Sequence, residues 1–213
     1  YMKKSVLKKY AKLVIKTGAN VQKGQDVIIM AELEQKDFVL MLVEEAYRAK
    51  ANRVTIDWLD DDLNKLHYKY RSVKSLSTME KWEIEKFQYY VDKLPVRIFV
   101  ESADPDGEKG IDQKKRAEAG QNLYKILKPF RDQMENRYQW TIVGAAGTKW
   151  AKKLFPELSP KKAKEKLWDA ILKAAHGYGD PIENWKKHNL NLHEKAAKLN
   201  DLRLVSLHYT SKN

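Results

Sequence analysis

Apolar residues recur in two different rhythms over the first sixty positions of the chain. They are spaced three or four apart over residues 3–17 and 36–50, which predicts two helices that each bury one face. Residues 27–31 form an uninterrupted apolar run, typical of a parallel strand covered on both faces. Residues 54–58 alternate, as a strand with one covered face does. The chain therefore opens with helix, strand, helix and strand.

Capping residues and a proline indicate where the next helices begin and end. Ser77 followed by Glu80 has the spacing of a capping box, which predicts a helix from there to about residue 93. A second helix is predicted over residues 112–128. Pro129 is expected to kink or end it, because proline lacks the backbone N–H that the helix needs.

The remaining apolar segments predict two strands, then helices, then a last strand. Residues 96–100 and 140–143 are short apolar runs bounded by polar loops. Ser159 and Asp180 each precede a proline, the combination that favours a helix start. Residues 204–209 are largely apolar again and predict a terminal strand.

Strands and helices that alternate in this way favour an α/β fold with a parallel sheet and right-handed crossovers. We expect about four to five strands, flanked by helices on both faces, and a helix-rich carboxyl-terminal third. No low-complexity linker divides the chain. Residues 1–213 are therefore interpreted as a single domain, with a helical subregion over residues 157–203.

Composition narrows the class of protein without naming its function. Hydrophobic residues make up 43% and charged residues 33% of the 213, and no apolar run approaches the roughly 20 residues that cross a bilayer. There is no cysteine, which excludes disulfides and thiolate metal sites and fits a reducing cytoplasm. The net charge of +12 suggests either a nucleic-acid or other acidic partner, or lysine-coated helices. Basic residues interleave with Glu and Asp, which favours the second interpretation.

The sequence does not match three familiar catalytic motifs. His188 and His193 are five residues apart, which places them roughly 140° apart on a helix, so they do not form a helical metal pair. Gly144 and Gly147 are only three apart, which is too close for a phosphate-binding loop and favours a tight strand-to-helix turn. No serine has the neighbours of a nucleophile elbow. We therefore assign no catalytic residue and no metal ligand in this chain.

Carboxylates near the predicted strand ends are the remaining candidates. Glu32, Asp57 and Glu101 each lie at or near the carboxyl end of a strand, as do Asp60 and Asp104. Ligands of open parallel sheets bind beyond these ends. We predict Glu32, Asp57 and Glu101 as substrate-access residues; the alternative is that such carboxylates only cap helices and loops.

Four stretches of the chain resemble a known family in their order and spacing. They are residues 9–29 (KYAKLVIKTGANVQKGQDVII), 42–58 (LVEEAYRAKANRVTIDW), 140–174 (WTIVGAAGTKWAKKLFPELSPKKAKEKLWDAILKA) and 180–209 (DPIENWKKHNLNLHEKAAKLNDLRLVSLHY). Together they resemble the amino-terminal region of the thermophilic-type metalloaminopeptidases, the aminopeptidase T and aminopeptidase S family. The resemblance extends along essentially the whole chain.

The resemblance implies a function that this chain would perform only in part. Family members are cytoplasmic homodimers that remove the amino-terminal residue from peptides with two divalent metals, usually zinc, cobalt or manganese. Two such ions lower the pKa of a bound water and polarise the scissile carbonyl. Their Glu, His, Asp and Tyr ligands lie in the second half of the family's chain, which begins about where this chain stops.

The resulting hypothesis is an amino-terminal domain of a two-metal aminopeptidase, shaping substrate access and contributing dimer contacts. The peptide substrate and the metals would belong to the missing catalytic domain, so the chain alone is expected to be inactive. We expect a truncated chain, no membrane association and no nucleic-acid partner. The alternative hypothesis is a stand-alone basic α/β module that binds nucleic acid or another acidic partner.

Overall fold

A computed structural model describes residues 2–212, and its centre is a four-stranded parallel sheet. The strands are β1 (Asp26–Glu32), β2 (Arg53–Leu59), β3 (Val96–Glu101) and β4 (Trp140–Gly144), in the order β2-β1-β3-β4. In register, Ile29 of β1 is paired with Ile56 of β2 and with Ile98 of β3. The predicted α/β class and its four internal strands are confirmed.

Helices cover both faces of the sheet. Their bounds are α1 (Lys4–Leu13), continued by a π-helical turn (Val14–Gly18), a 3-10 turn (Leu33–Gln35), α2 (Lys36–Arg48), α3 (Asp61–Tyr70), α4 (Val73–Leu76), α5 (Lys81–Lys93), α6 (Gln113–Met134), α7 (Thr148–Leu154), α8 (Pro160–Ala174) and α9 (Pro181–Asp201). The side chains of Ser159 and Asp180 cap α8 and α9, as predicted. Within residues 2–212, none of these helices is both long and apolar enough to span a membrane.

The larger core lies on the face covered by α1, α2, α7 and α8. Alternate residues of β1 and β3 point into it, which is why both strands are apolar on this side. Three aromatic rings join the helices there: Tyr10 stacks on Phe38 with centroids 5.5 Å apart, and Trp168 meets both edge-on. Each such aromatic pair contributes about 0.5–1.5 kcal/mol beyond its area burial.

The second face is covered more thinly, by α5 and α6. In the described part of the chain, its buried cluster consists of Ile28, Tyr90 and Met134, with partly buried neighbours such as Phe87 and Phe130. The other face of β1 therefore also requires apolar residues, and this explains the uninterrupted run at residues 27–31.

Two predicted helix boundaries are wrong. Ser77 caps the carboxyl end of α4, and the capping box begins three residues later at Glu80. There the Glu83 carboxylate accepts from the Glu80 N–H at 2.7 Å. Pro129 does not end α6, which continues to Met134. Phe130 and Met134 pack into the second core beyond the proline, and their burial outweighs the hydrogen bond that Pro129 cannot make.

The predicted terminal strand at residues 204–209 is also wrong. In the part of the chain that the structure describes, no strand follows α9, and every residue from 202 to 212 is exposed. A strand is stable only when its N–H and C=O groups have a neighbouring strand, and none pairs with this segment among residues 2–212.

Candidate functional site

The carboxyl ends of the parallel strands meet at one edge of the sheet and border a cleft of about 330 Å³. Glu32 ends β1, Asp60 follows β2 directly, and Ser102 follows β3. The lining consists mainly of acidic and hydroxyl residues: Glu32, Leu33, Glu34, Asp60, Asp61, Asp62, Ser102, Asp104, Thr148 and Lys149. Such an edge is where ligands bind in open α/β sheets.

Two loops hold the acidic side chains in place. Asp60 caps α3, its Oδ1 accepting from the Leu63 N–H at 2.8 Å. Asp104 Oδ1 accepts from the Asp106 N–H at 2.9 Å within the loop after β3. Asp61 lies against Gly107, where an added Cβ would be 2.5 Å from its Oδ2, so a side chain at position 107 would displace this carboxylate.

Glu32 experiences the accumulated negative charge of the cleft. Partial burial raises the pKa of this carboxyl, and the nearby carboxylates of Asp61, Asp60 and Glu101 raise it further; Lys149 opposes them. The ionised form of Glu32 is therefore disfavoured. A cation entering the cleft would relieve that repulsion.

Lys149 is the basic residue of the cleft lining. Its Nζ lies 3.7 Å from Asp62 Oδ1 and 3.8 Å from Asp104 Oδ2, at an exposed position. Ion pairs of this length at the surface contribute little stability. The lining consequently remains negative although the chain as a whole carries +12.

Glu34 is a site residue that our sequence reasoning missed. Its carboxylate accepts from the Thr148 N–H at 2.8 Å, from the Thr148 hydroxyl and from Lys164 Nζ at 2.7 Å. Burial alone would raise the pKa of Glu34, but these hydrogen bonds lower it overall. The sequence signal was the unfilled capping position before α7, where Gly147 has no side chain to accept from the helix N–H groups.

Residues 144–147 form the tight strand-to-helix turn predicted from their spacing. At Gly147 an added Cβ would be 2.2 Å from the Ser102 carbonyl oxygen, so the two loops touch through backbone alone. Ser102 beneath it is 5% exposed, and its hydroxyl has no hydrogen-bond partner among the described residues.

The three predicted access residues do not form one group. Glu32 and Glu101 lie close enough for their charges to interact, and Glu101 Oε1 accepts from the Ala103 N–H at 3.2 Å. Of the three, Glu32 belongs to the cleft lining, whereas Glu101 and Asp57 do not. The Oδ1 of Asp57 accepts from Lys86 Nζ of α5 at 2.9 Å. The ion pair between Asp57 and Lys86 thus connects α5 to β2, which is an edge strand of the sheet.

The cleft does not fit a divalent metal centre. Among residues 2–212, no three His, Cys, Asp or Glu side chains converge closely enough to hold an ion. The ammonium of Lys149 already lies between two of the carboxylates. We therefore derive no metal-dependent step from this chain's residues.

A parallel sheet with helices on both faces and a cleft at its strand ends defines the broad class of open-sheet α/β domains. Comparison with known proteins is more specific. The family model described as Thermophilic metalloprotease (M29) matches residues 3–213, and this chain belongs to that family. The predicted resemblance is confirmed.

Individual relatives agree with the family assignment. Aminopeptidase AmpS of Bacillus subtilis (strain 168) is 36% identical over 208 residues, which cover 97% of this chain and 51% of that protein. Aminopeptidase T of Thermus thermophilus is 35% identical over 205 residues, covering 95% and 50%. The solved structure of wild-type AmpT from Thermus thermophilus superposes with a TM-score of 0.86 at 34% identity, over 98% of this chain and 52% of that one. The chain spans about half the length of the curated relatives it matches.

Proposed function

We propose that this chain is the substrate-access part of a metal-dependent aminopeptidase and that it does not cleave peptides alone. The observation that carries the proposal is the coverage: the match extends along nearly all of this chain but along only half of proteins named aminopeptidases. The metal centre of a metalloprotease then belongs to the other half, because the carboxylates at the strand ends here do not converge on an ion.

The cleft supports a role in substrate approach. An aminopeptidase substrate carries a free α-ammonium group, and a negatively lined concave surface attracts cations. Glu32 is partly buried and crowded by carboxylates, so an incoming ammonium gains from its charge. Asp57 has no part in this proposal, since its carboxylate is already paired with Lys86.

A binding experiment tests the access role. Two-dimensional NMR of the chain at low salt would be recorded with leucylglycine and with its N-acetylated form. We expect resonances of the cleft lining to shift with the free amine only. Glu32→Gln and Asp61→Asn should each weaken binding by about two- to fivefold, as surface charge pairs do. Glu118→Gln, on the exposed side of α6, is the matched control. Equal shifts with the acetylated peptide would contradict the role.

An activity assay tests the second half of the proposal. Hydrolysis of leucine p-nitroanilide is measured with added zinc, cobalt or manganese. The expected rate equals that of the metal-only blank. Robust turnover that a chelator abolishes would show that the chain is a complete catalyst.

A further inference from the structure

A second cavity, of about 730 Å³, lies away from the strand-end cleft. It opens on the thinly covered second face, between α5, α6 and the amino-terminal ends of β3 and β4. Its volume is within the range of small-molecule sites, roughly 300–1,000 Å³. Aromatic and charged side chains share the lining.

Arg97 is the central cation of this cavity. Its guanidinium lies between two rings, 5.1 Å from the centroid of Tyr90 and 5.0 Å from that of Tyr138. Within the described residues, Nη2 donates to the sulfur of Met134 at 3.6 Å. Among residues 2–212, Nε is buried without a hydrogen-bond acceptor, and none of the ion pairs involves this guanidinium.

The rim adds further positive charge and flat apolar surface. Arg131 lies over the ring of Tyr124 at 5.5 Å, and none of the ion pairs formed among residues 2–212 involves Arg131. Lys128, by contrast, is paired with Asp132, and the carboxylate of Glu135 also belongs to the lining, so three cationic side chains share the cavity with two carboxylates. Phe87, Phe99 and Trp140 line the wall, and Trp140 is 59% exposed.

A partly buried guanidinium without a counter-ion is energetically unfavourable, and the two tyrosine rings offset only part of that cost. The planar fork of arginine matches carboxylates and phosphates. Flat aromatic walls favour a ring stacked against them. We propose that this cavity binds a small anion carried on a flat ring, with Arg97 and Arg131 facing the anionic group and the aromatic wall facing the ring.

Calorimetric titration of the full 213-residue chain tests this proposal. The probes are AMP and N-acetyltryptophan, which join a ring to a phosphate or to a carboxylate. Adenosine supplies a ring alone and inorganic phosphate an anion alone. We expect at least one of the first two to bind, and to bind at least about tenfold more tightly than either half-probe, as charge-assisted hydrogen bonds and stacking together allow. The two full probes distinguish a phosphate source from a carboxylate source.

Variants assign the binding to the cavity. Arg97→Gln should weaken the tighter full probe by about tenfold or more, while Arg97→Lys should restore only part, because the fork is lost. Arg131→Gln, an exposed rim change, serves if Arg97→Gln unfolds, as judged by circular dichroism. Arg116→Gln is the control. Arg116 lies on α6, as Arg131 does, but it pairs with Glu108 outside the cavity.

Three results would overturn the proposal. The first is no binding of AMP or N-acetyltryptophan at millimolar concentration. The second is unchanged affinity in the folded Arg97 or Arg131 variants. The third is phosphate binding as tightly as AMP, which would remove the ring from the site. None of these outcomes depends on the peptide cleft, so the two proposals stand or fall separately.

Discussion

Glu32 shows how a single carboxylate reports the electrostatics of the cleft. Burial and three neighbouring carboxylates raise its pKa, and Lys149 lowers it. We predict that Asp61→Asn moves the Glu32 pKa down and Lys149→Met moves it up, because the first removes a repelling charge and the second an attracting one. Carboxyl-detected NMR titration measures both shifts, with Glu118→Gln as the unchanged control.

The same shift has a consequence for stability against pH. With the folded-state pKa above the unfolded value, the folded protein binds more protons in that interval, and stability decreases as pH rises through it. Glu32→Gln should therefore raise the melting temperature at pH 7 and have no such benefit below about pH 4, where both states are protonated. A benefit of equal size at both pH values would contradict the electrostatic explanation.

Two glycines form a matched pair of opposite expected effects. Gly147→Ala places a Cβ 2.2 Å from a backbone carbonyl of Ser102, so the loops must separate, and we expect a loss of about 1–3 kcal/mol in unfolding free energy. Gly120 lies within α6 with open space around it. Gly120→Ala should add about 0.5–1 kcal/mol. Urea unfolding measures the free energy of unfolding of both variants. An unchanged value for Gly147→Ala would contradict the predicted clash with Ser102.

At the element scale, α6 continues through Pro129 although proline disfavours a helix interior. We attribute this to the packing of Phe130 and Met134 in the second core. Pro129→Ala restores a helix N–H, and the helix-propensity gain of up to about 3 kcal/mol exceeds the unfolded-state entropy that proline removes, about 0.4–1 kcal/mol. We expect a net gain of about 1–2 kcal/mol in urea unfolding. A destabilised variant would contradict this expectation.

The strands and most helices were predictable because their signals are local. Apolar runs and alternation identified four strands, and Ser159 and Asp180 identified two helix starts. The helix start at Ser77 was predicted wrongly because Glu80 is also able to cap a helix. Sequence spacing does not reveal which of these two residues forms the capping box, and in the structure Glu80 forms it with Glu83.

The site was less predictable, since side-chain partners depend on tertiary contacts. Glu32 and Glu101 follow from the parallel strands, whereas the pairing of Asp57 with Lys86, 29 residues later, has no local signal. Glu34 reaches Thr148, 114 residues away. Residues 204–209 have a strand's composition but no partner strand in the described part of the chain.

At the scale of the whole molecule, several exposed apolar side chains follow one another after α9. Val205 is fully exposed, and Leu202, Leu204, Leu207 and Tyr209 are between 47% and 83% exposed. Patches of this kind bind partners or dyes. We predict binding of a hydrophobic dye and concentration-dependent self-association by ultracentrifugation, both reduced in a Leu204→Ser, Leu207→Ser double variant. A monomeric chain that binds no dye would contradict this.

Metal stoichiometry tests the central claim most directly, because a two-metal catalyst must hold its ions at fixed places. Equilibrium dialysis of the chain against micromolar zinc, followed by elemental analysis, gives the number of ions retained. Our account predicts fewer than one tightly held ion per chain, since the strand-end carboxylates do not converge. Two ions retained per chain, and lost on substitution of its own carboxylates, would contradict it.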